Sequence, residues 1–436
     1  MSPPEAFLIG LYHAKNGCQK GRWARRCGKP GAGFRRFEWP ARSTSEIAGH
    51  APSLCYNTFD RRPFTPRLQH INVLLDALEG SLSGGNLSIL RALRQRASGQ
   101  TPTVYLVGGP VRDVLLGAPV RDLDFVVEGD GPEVASQLAE DLGGRVLAHP
   151  RFGTATLSLN GCRVDVVSAR KEVYLQPAAL PQVFPGTIEE DLARRDFSAN
   201  ALAVPLGEAR PKVLDLHGGV GDLRRGLIRI LHPNSFVDDP TRILRAVRYE
   251  QRLGFRIERR TLARLRDAVA NGHPAALTGD RLRHELERIF WEDRPGPALT
   301  RAWDLGIIAA IHPALGGGKT PAWLAAAVAL DSGGDGGEEG DRTGAGPLVY
   351  LAALTYLLSP EEAEAVIRRL SMPKPWAQVV RDTASLRWLE AELADPSLPR
   401  SRLVALVEGS SQEAVLAVCR VSGSPGAASR LAEYLD

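Results

Sequence analysis

The run VYLVGGPVRDVLLGAPVRDLDFVVEGD, residues 104–130, decides how the chain is read. Val104, Tyr105, Leu106 and Val107 form a short, bounded apolar run of strand type. Gly108 and Gly109 follow, and without Cβ atoms they let the backbone turn and approach a ligand closely. Pro110 suits the first turn of a helix, where its missing N–H costs nothing. Val111, Val114, Leu115 and Leu116 give that helix an apolar face, and Gly117 can end it in a left-handed cap. A second strand is expected over residues 122–127. Strand side chains alternate, so Asp122 and Asp124 share one face while Leu123 and Phe125 share the other. Two carboxylates one pleat apart can hold divalent cations. Facing a glycine turn and a helix N-terminus suited to phosphate, they point to metal-assisted phosphoryl chemistry.

A D-x-D on a strand is by itself more often a solvated face than a metal site. The combination GGPVRDVLLG followed at short range by DLD is more specific. It resembles motif A of the class II tRNA nucleotidyltransferase and bacterial poly(A) polymerase family, within the polymerase-β-like nucleotidyltransferase superfamily. The resemblance implies an α+β fold: a polymerase-β-like head with a small mixed sheet, then an elongated all-helical neck, body and tail. It implies Mg2+ at Asp122 and Asp124, and triphosphate contacts from Gly108, Gly109 and Arg112. The expected divisions are a basic leader over 1–66, the head over 67–225, a neck for base selection and RNA contact over 226–295, and a tRNA-binding body and tail over 296–436.

Composition agrees with a multi-part globular protein. The chain has 436 residues, enough for two to four domains, and 44% of them are hydrophobic. Its formal net charge of +4 mildly favours a polyanionic partner. Cys18, Cys27, Cys55, Cys162 and Cys419 are scattered without a C-x-x-C pair, which indicates neither a zinc ribbon nor a disulfide framework and fits a reducing cytoplasm. No run of eighteen apolar residues exists, so no membrane span is expected. Residues 1–66 hold Gly, Pro and Arg clusters without hydrophobic period and read as disordered. Such an Arg-rich, acid-poor leader could be a transit peptide, an RNA-binding arm or a dispensable extension. Ile71, Leu74, Leu75 and Leu78, then Leu90 and Leu93, return at helical spacing, and residues 81–85 split them into two helices.

Beyond motif A, residues 132–142 read as an amphipathic helix with Val134, Leu138 and Leu142 inward, and 145–148, 154–159 and 163–168 read as strands. Asp165, in RVDVVSAR, is the candidate third acid of the catalytic sheet, against a salt-bridge role. KEVYLQPAALPQVFPG, residues 171–186, has three prolines and no period, so it reads as a long loop. In the resembled family this position holds a flexible loop involved in switching from C to A addition. EEDLARRDFSANALA, residues 189–203, resembles motif B, RRDFT-x-NA, through Arg194, Arg195, Asp196, Phe197 and Asn200, with Ser198 in place of threonine. Arg is always charged and can grip a triphosphate, while Asp can accept from a ribose hydroxyl. The plainer reading is an ion-paired helix start. Asp215, Gly221 and Asp222 are expected to shape turns in the linking segment that follows.

Within FVDDPTRILRAVRYEQRLGF, residues 236–255, Pro240 opens a helix, with Asp238 and Asp239 favourable at its positive end. Asp239, Arg242, Arg245 and Arg248 recur every third residue along one stripe, which is ordinarily a solvated face. The segment also resembles motif D, ED-x-x-R, with Asp238 in place of the first acid. The resemblance implies that Asp239 and Arg242 act as a protein template for the incoming base, with Arg245 and Arg248 binding triphosphate or supporting that template. A carboxylate can accept from the exocyclic amine of cytosine or adenine, whereas guanine and uracil offer a carbonyl that it repels. From Arg259 onward the chain reads as helical, with a glycine-rich acidic break over 333–346. No aromatic RNA-recognition motif and no paired His-Asp phosphohydrolase signature is found. The expected partners are the 3′ end and acceptor arm of tRNA and ATP, with CTP use left open, and no protein partner. A poly(A) polymerase acting on general RNA ends and a non-catalytic RNA-binding protein are the alternatives.

Overall fold

The structure is a computed structural model that describes residues 74–98, 102–208, 211–316 and 346–435. The leader, the break at 333–345 and Cys18, Cys27 and Cys55 lie outside the described residues. The head is built on a six-stranded sheet in the order β3-β4-β5-β2-β1-β8. Its strands are β1 (Thr103–Val107), β2 (Asp124–Glu128), β3 (Arg145–His149), β4 (Thr154–Leu159), β5 (Cys162–Ser168) and β8 (Ala203–Pro205). Neighbours are antiparallel except β2 and β5, which run parallel with Asp124 opposite Asp165.

Side-chain alternation sorts the two faces of this sheet. Leu123, Phe125, Val127, Val164 and Val166 are buried in one large cluster beneath the helices Gly84–Ala97 and Gly131–Leu142. The opposite face carries Val126, Ala169 and Val107 under a second, small cluster sealed by Ile188 and Leu192 of helix Ile188–Ala193. Asp124 and Asp165 share the parity of Val126 and so lie on this second face, beyond the edge of its apolar seal. The helix Gly109–Leu116 begins where expected and ends on Gly117 at φ 68. Asp122 falls just ahead of β2 rather than inside it, yet the alternation holds: Leu123 and Phe125 are buried, Asp122 is exposed and Asp124 is half-buried.

Two expectations need correction. The stretch 171–186 is not a structureless loop. Its ends pair as an antiparallel hairpin, β6 (Arg170–Val173) with β7 (Gln182–Pro185), which propensity missed because the prolines sit at the turn and at the strand end. Gly221 shapes no turn, since it lies inside the helix Gly219–Arg225; Gly218 and Gly226 adopt the left-handed conformations at its ends. Pro240 opens the long helix Thr241–Arg252 as expected, and residues 236–238 lie ahead of it in a short helix, Ser235–Asp238.

The helix Thr241–Arg252 packs against the helices Gly279–Phe290 and Pro295–Asp304 and against the small parallel pair β9 (Leu227–Ile228) and β10 (Arg256–Ile257). It joins the head to the C-terminal helices, which extend to Leu435 and share one continuous buried cluster with the sheet. Asp222 holds this junction. It is 1% exposed, accepts from Ser198 Oγ at 2.7 Å and Arg225 at 2.8 Å, and takes both Arg229 Nε at 2.9 Å and NH2 at 3.2 Å. Asp222→Ala should cost about 1–3 kcal/mol, because it strands the buried Ser198 hydroxyl and takes the two-nitrogen partner from the partly exposed Arg229 guanidinium. Urea unfolding checks this, and a loss below about 1 kcal/mol would contradict it.

Candidate active site

The second face of the sheet, the β6–β7 hairpin and the helices Thr241–Arg252 and Gly279–Phe290 enclose a cleft of about 650 Å³. Of the residues singled out from sequence, Gly109, Arg112, Asp122, Asp124, Arg194, Arg195, Asp196, Asn200, Asp239, Arg242 and Arg245 all line it. Asp165 stands beside Asp124 in the parallel ladder, with its carboxylate accepting from Thr156 Oγ1 at 2.9 Å. Arg248 lies outside the lining. It is 7% exposed and donates to Glu292 at 2.9 Å.

Gly108 makes the turn at the head of the cleft with φ 74, a conformation that favours glycine. A Cβ there would also stand 2.6 Å from Arg195 NH1, so a side chain would have to displace that guanidinium. Asp122 and Asp124 share one wall of the cleft. Among the described residues no group of three or more His, Cys, Asp or Glu side chains forms a ready-made metal cage. Two carboxylates without a cage suit Mg2+, which keeps several waters and is bound through one or two carboxylates plus substrate phosphates. The donor set therefore fits a divalent ion that arrives with a nucleotide.

Ten arginines and eight carboxylates line the cleft, so its charge is nearly balanced and its arginines are held by partners. Asp191, which sequence reading did not single out, is 0% exposed and grips Arg194 at 2.7 Å and Arg195 at 3.0 Å. Burial pushes its carboxyl up, but the two guanidiniums outweigh this and hold it below the usual carboxylate range. The helical spacing of Asp191 from both arginines was the available signal. Glu172 on β6 adds a second bond to Arg194 at 3.0 Å and so ties the hairpin to motif B.

Asp196 is the centre of a second network. Its Oδ1 accepts from the Phe197 amide at 2.8 Å and from Asn200 Nδ2 at 3.1 Å. Its Oδ2 accepts from Arg245 Nε at 2.9 Å and NH2 at 2.6 Å. Burial raises this carboxyl, yet Arg245 and Asn200 lower it further, to about 2. With four donors on two oxygens, Asp196 has little capacity left for the ribose hydroxyl expected from sequence. Its observed role is to fasten Arg245 and Asn200. Asn200 Oδ1 in turn accepts from Arg112 at 2.6 Å. Tyr249, also unflagged by the sequence, sits among Arg112, Arg245 and Arg248, whose guanidiniums lie 5.4, 5.7 and 4.7 Å from its ring centre. Burial raises its hydroxyl, but the Arg245 and Arg248 charges outweigh this and lower it.

Asp239 Oδ1 takes the Thr241 amide at 3.1 Å, the Thr241 hydroxyl at 2.6 Å and Arg281 at 2.7 Å. Its Oδ2 lies 3.9 Å from Arg242 Nε. Arg242 is 4% exposed and is anchored through its terminal nitrogens to Ser235 Oγ at 2.7 Å and the Arg194 carbonyl at 2.6 Å. Arg281, and Glu285, whose carboxylate stands 3.8 Å from Arg245 NH1, lie on the helix Gly279–Phe290 far along the chain and were beyond reach of sequence reading.

A mixed sheet carrying paired carboxylates beside a glycine turn, followed by many helices, defines a polymerase-β-like nucleotidyltransferase head. Comparison with known proteins gives the same result. The profile of the poly A polymerase head domain matches residues 104–229, and that of the probable RNA and SrmB-binding site of polymerase A matches 254–316. An A-adding tRNA nucleotidyltransferase of Geobacter sulfurreducens is 47% identical over 214 residues, covering 49% of this chain and 24% of that protein. A CC-adding tRNA nucleotidyltransferase of Deinococcus radiodurans is 41% identical over 217 residues, covering 49% of this chain and 57% of its own length. The aligned part is thus well under two thirds of either relative. A solved CCA-adding enzyme, apo form II, superposes with TM-score 0.69 at 33% identity, covering 84% of this chain and 87% of that one. The Thermotoga maritima CCA-adding enzyme complexed with tRNA superposes with TM-score 0.65 at 32% identity, covering 83% of this chain and 84% of that one. The chain belongs to the tRNA nucleotidyltransferase and bacterial poly(A) polymerase family.

The Asp196–Arg245 pair has a pH signature. The folded carboxyl titrates at about 2, below its ordinary 3.8, so its stabilisation is complete above pH 3.8 and is lost as pH falls through about 2. Arg245→Met removes the partner and leaves burial to raise the carboxyl. Stability should fall by about 3–5 kcal/mol at neutral pH. Acid unfolding should also begin at higher pH than in the parent. Urea midpoints between pH 3 and 7 check both, and an unchanged midpoint and pH profile would contradict the pairing.

Proposed function

We propose that the protein adds the terminal A, or CCA, to the 3′ end of tRNA from ATP or CTP, releasing pyrophosphate. The observation that carries this reading is the pair Asp122 and Asp124, set on the open face of the sheet against an arginine-lined cleft. In the reaction the RNA 3′-oxygen attacks the α-phosphorus, the bond from that phosphorus to the bridging oxygen breaks, and pyrophosphate leaves. Mg2+ at Asp122 and Asp124 would lower the pKa of the attacking hydroxyl and neutralise charge on the leaving group. Asp165 flanks this pair as the third acid.

The other residues orient the nucleotide. Gly108 and Gly109 let the chain come close to the triphosphate, and Arg194 and Arg195, held by Asp191, present their remaining N–H groups to it. Arg112 and Arg245 act beside them from the cleft wall, and Arg248 supports the helix from behind through Tyr249. Asp239 Oδ2 accepts from the exocyclic amine of adenine or cytosine, with Arg242 fixed next to it. This arrangement selects against guanine and uracil, whose carbonyl would leave the carboxylate without a donor.

We assign the head to residues 67–225, base selection to a neck over 226–295 and RNA binding to the helices of 296–436. We assign the reaction to the cytoplasm, the reducing compartment that the scattered cysteines fit. The β6–β7 hairpin favours A addition, because the family loop tied to that step occupies its position. RNAs bound by backbone charge and shape would require no base-reading motif in the helical half.

Asp122→Ala and Asp124→Ala should each lower Mg2+-dependent nucleotide incorporation by on the order of a hundredfold or more. Their tRNA affinity, measured by gel shift, should stay close to that of the parent. A variant that keeps more than about a tenth of the parent rate would overturn the assignment of the metal-holding pair.

A further inference from the structure

Tyr249 brings a phenol into a cleft wall made mostly of charged groups. It lies one helical turn after Arg245 and two after Arg242 on helix Thr241–Arg252, so the three share a face and line the cleft. Its ring meets the buried Phe197 ring edge-on at 5.9 Å, which fixes the tilt of the phenol. Three guanidiniums surround that ring: Arg112 from helix Gly109–Leu116, and Arg245 and Arg248 from its own helix. Each guanidinium already has an oxygen partner, on Asn200, Asp196 and Glu292 in turn. The phenol is different. Among the described residues no group hydrogen-bonds its hydroxyl, and that oxygen is left open to the cleft. Burial and the Asp196 carboxylate push its pKa up, yet Arg245, Arg248 and Arg112 outweigh them and hold it below the ordinary 10. A phenol acidified in this way is a stronger donor, and the field that acidifies it draws an anion to the same place.

We propose that Tyr249 is a further nucleotide-binding residue, whose hydroxyl donates a hydrogen bond to the triphosphate. The inference rests on the reading of the cleft as a nucleotide site. Arg112 and Arg245 line that cleft together with Gly109 of the glycine turn, so the phenol stands with the groups suited to phosphate. A cluster of cations offers nothing to the exocyclic amine of a base, whereas a phosphate oxygen accepts from a phenol and a guanidinium at once. Phenylalanine at 249 would keep the ring against Phe197 and the guanidiniums and would remove only this donor. The bond also has a pH signature. A bound triphosphate opposes ionisation of the phenol and so raises its pKa. Affinity is therefore complete while the phenol is protonated, and is lost as pH rises through its unbound pKa, below 10. The charged groups around it are Arg112, Arg245 and Arg248, Asp196 on the motif B turn, and Glu285 of helix Gly279–Phe290 beside Arg245. Arginines and carboxylates keep their charge through that range. Tyr174, the other phenol of the cleft, is pushed above 10 by burial and by Glu172.

The test uses the full chain with Mg2+ and takes inorganic tripolyphosphate as the probe. Calorimetric titration should show Tyr249→Phe binding it about tenfold more weakly than the parent, as expected for loss of one hydrogen bond to a charged group. A second measurement needs no variant. Saturating tripolyphosphate should move the ionisation of one tyrosine of the parent to higher pH, read as tyrosinate absorbance, and Tyr249→Phe should lack that shift. Equal affinity in the two proteins, or a tyrosine titration that ignores the ligand, would overturn the proposal. So would a tRNA affinity that falls in gel shift while tripolyphosphate affinity holds, because the phenol would then serve an RNA phosphate. Should the Phe variant fail to fold, the titration of the parent carries the test, and an unmoved titration overturns the proposal. If the parent shows the tripolyphosphate effects but adds no nucleotide to tRNA, the proposed function falls while the role of the hydroxyl in phosphate binding stands.

Discussion

The buried Asp196 and the half-buried Arg245 tie the turn after motif B on the sheet to the long helix that leads into the rest of the chain. Taking the carboxylate out of water is costly, and the pair holds because each oxygen of that carboxylate has two donors. From that carboxylate the bonds run to Asn200 and on to Arg112 of motif A, while Tyr249 packs against the guanidiniums of Arg112, Arg245 and Arg248. Three stretches whose bonded residues lie 88 and 49 positions apart in the chain are held in one arrangement by these contacts. The cleft exists because the head and the helix cannot rotate against each other without breaking them.

The same economy of charge explains why so many arginines coexist in one cleft. Asp191 holds Arg194 and Arg195, and Glu172 adds the hairpin to that group. A guanidinium already fixed by a carboxylate loses little further side-chain freedom when a phosphate arrives, so its remaining donors bind with less entropic cost. Fixed arginines also keep their positions while the cleft is empty of nucleotide. Preorganisation of this kind is what an enzyme needs if charge develops on a triphosphate during reaction.

Much of the fold was legible because the head follows local rules. Alternation placed Asp122 and Asp124 together, and Gly117 ended the first helix, since strand parity and left-handed caps are written within a few residues. The hairpin was missed because its strands are short and largely exposed and prolines fill the turn between them, so their pairing gives no hydrophobic period. The roles of Arg112 and Asp196 were only half legible. Sequence identified the residues, but not that each is engaged by a protein partner far along the chain. Arg281 and Glu285 carried no local signal at all, because their importance comes from what the helix Gly279–Phe290 happens to face.

Addition of a defined 3′ terminus to tRNA is tested most directly by the product itself. The purified protein would be given ATP, Mg2+ and a tRNA ending in CC, and the product lengths resolved on a sequencing gel. The expected product is one nucleotide longer, carrying a single terminal A, with little further extension and little reaction on an unrelated RNA. A long heterogeneous A tail on either RNA, or no extension of the tRNA under any condition, would contradict it.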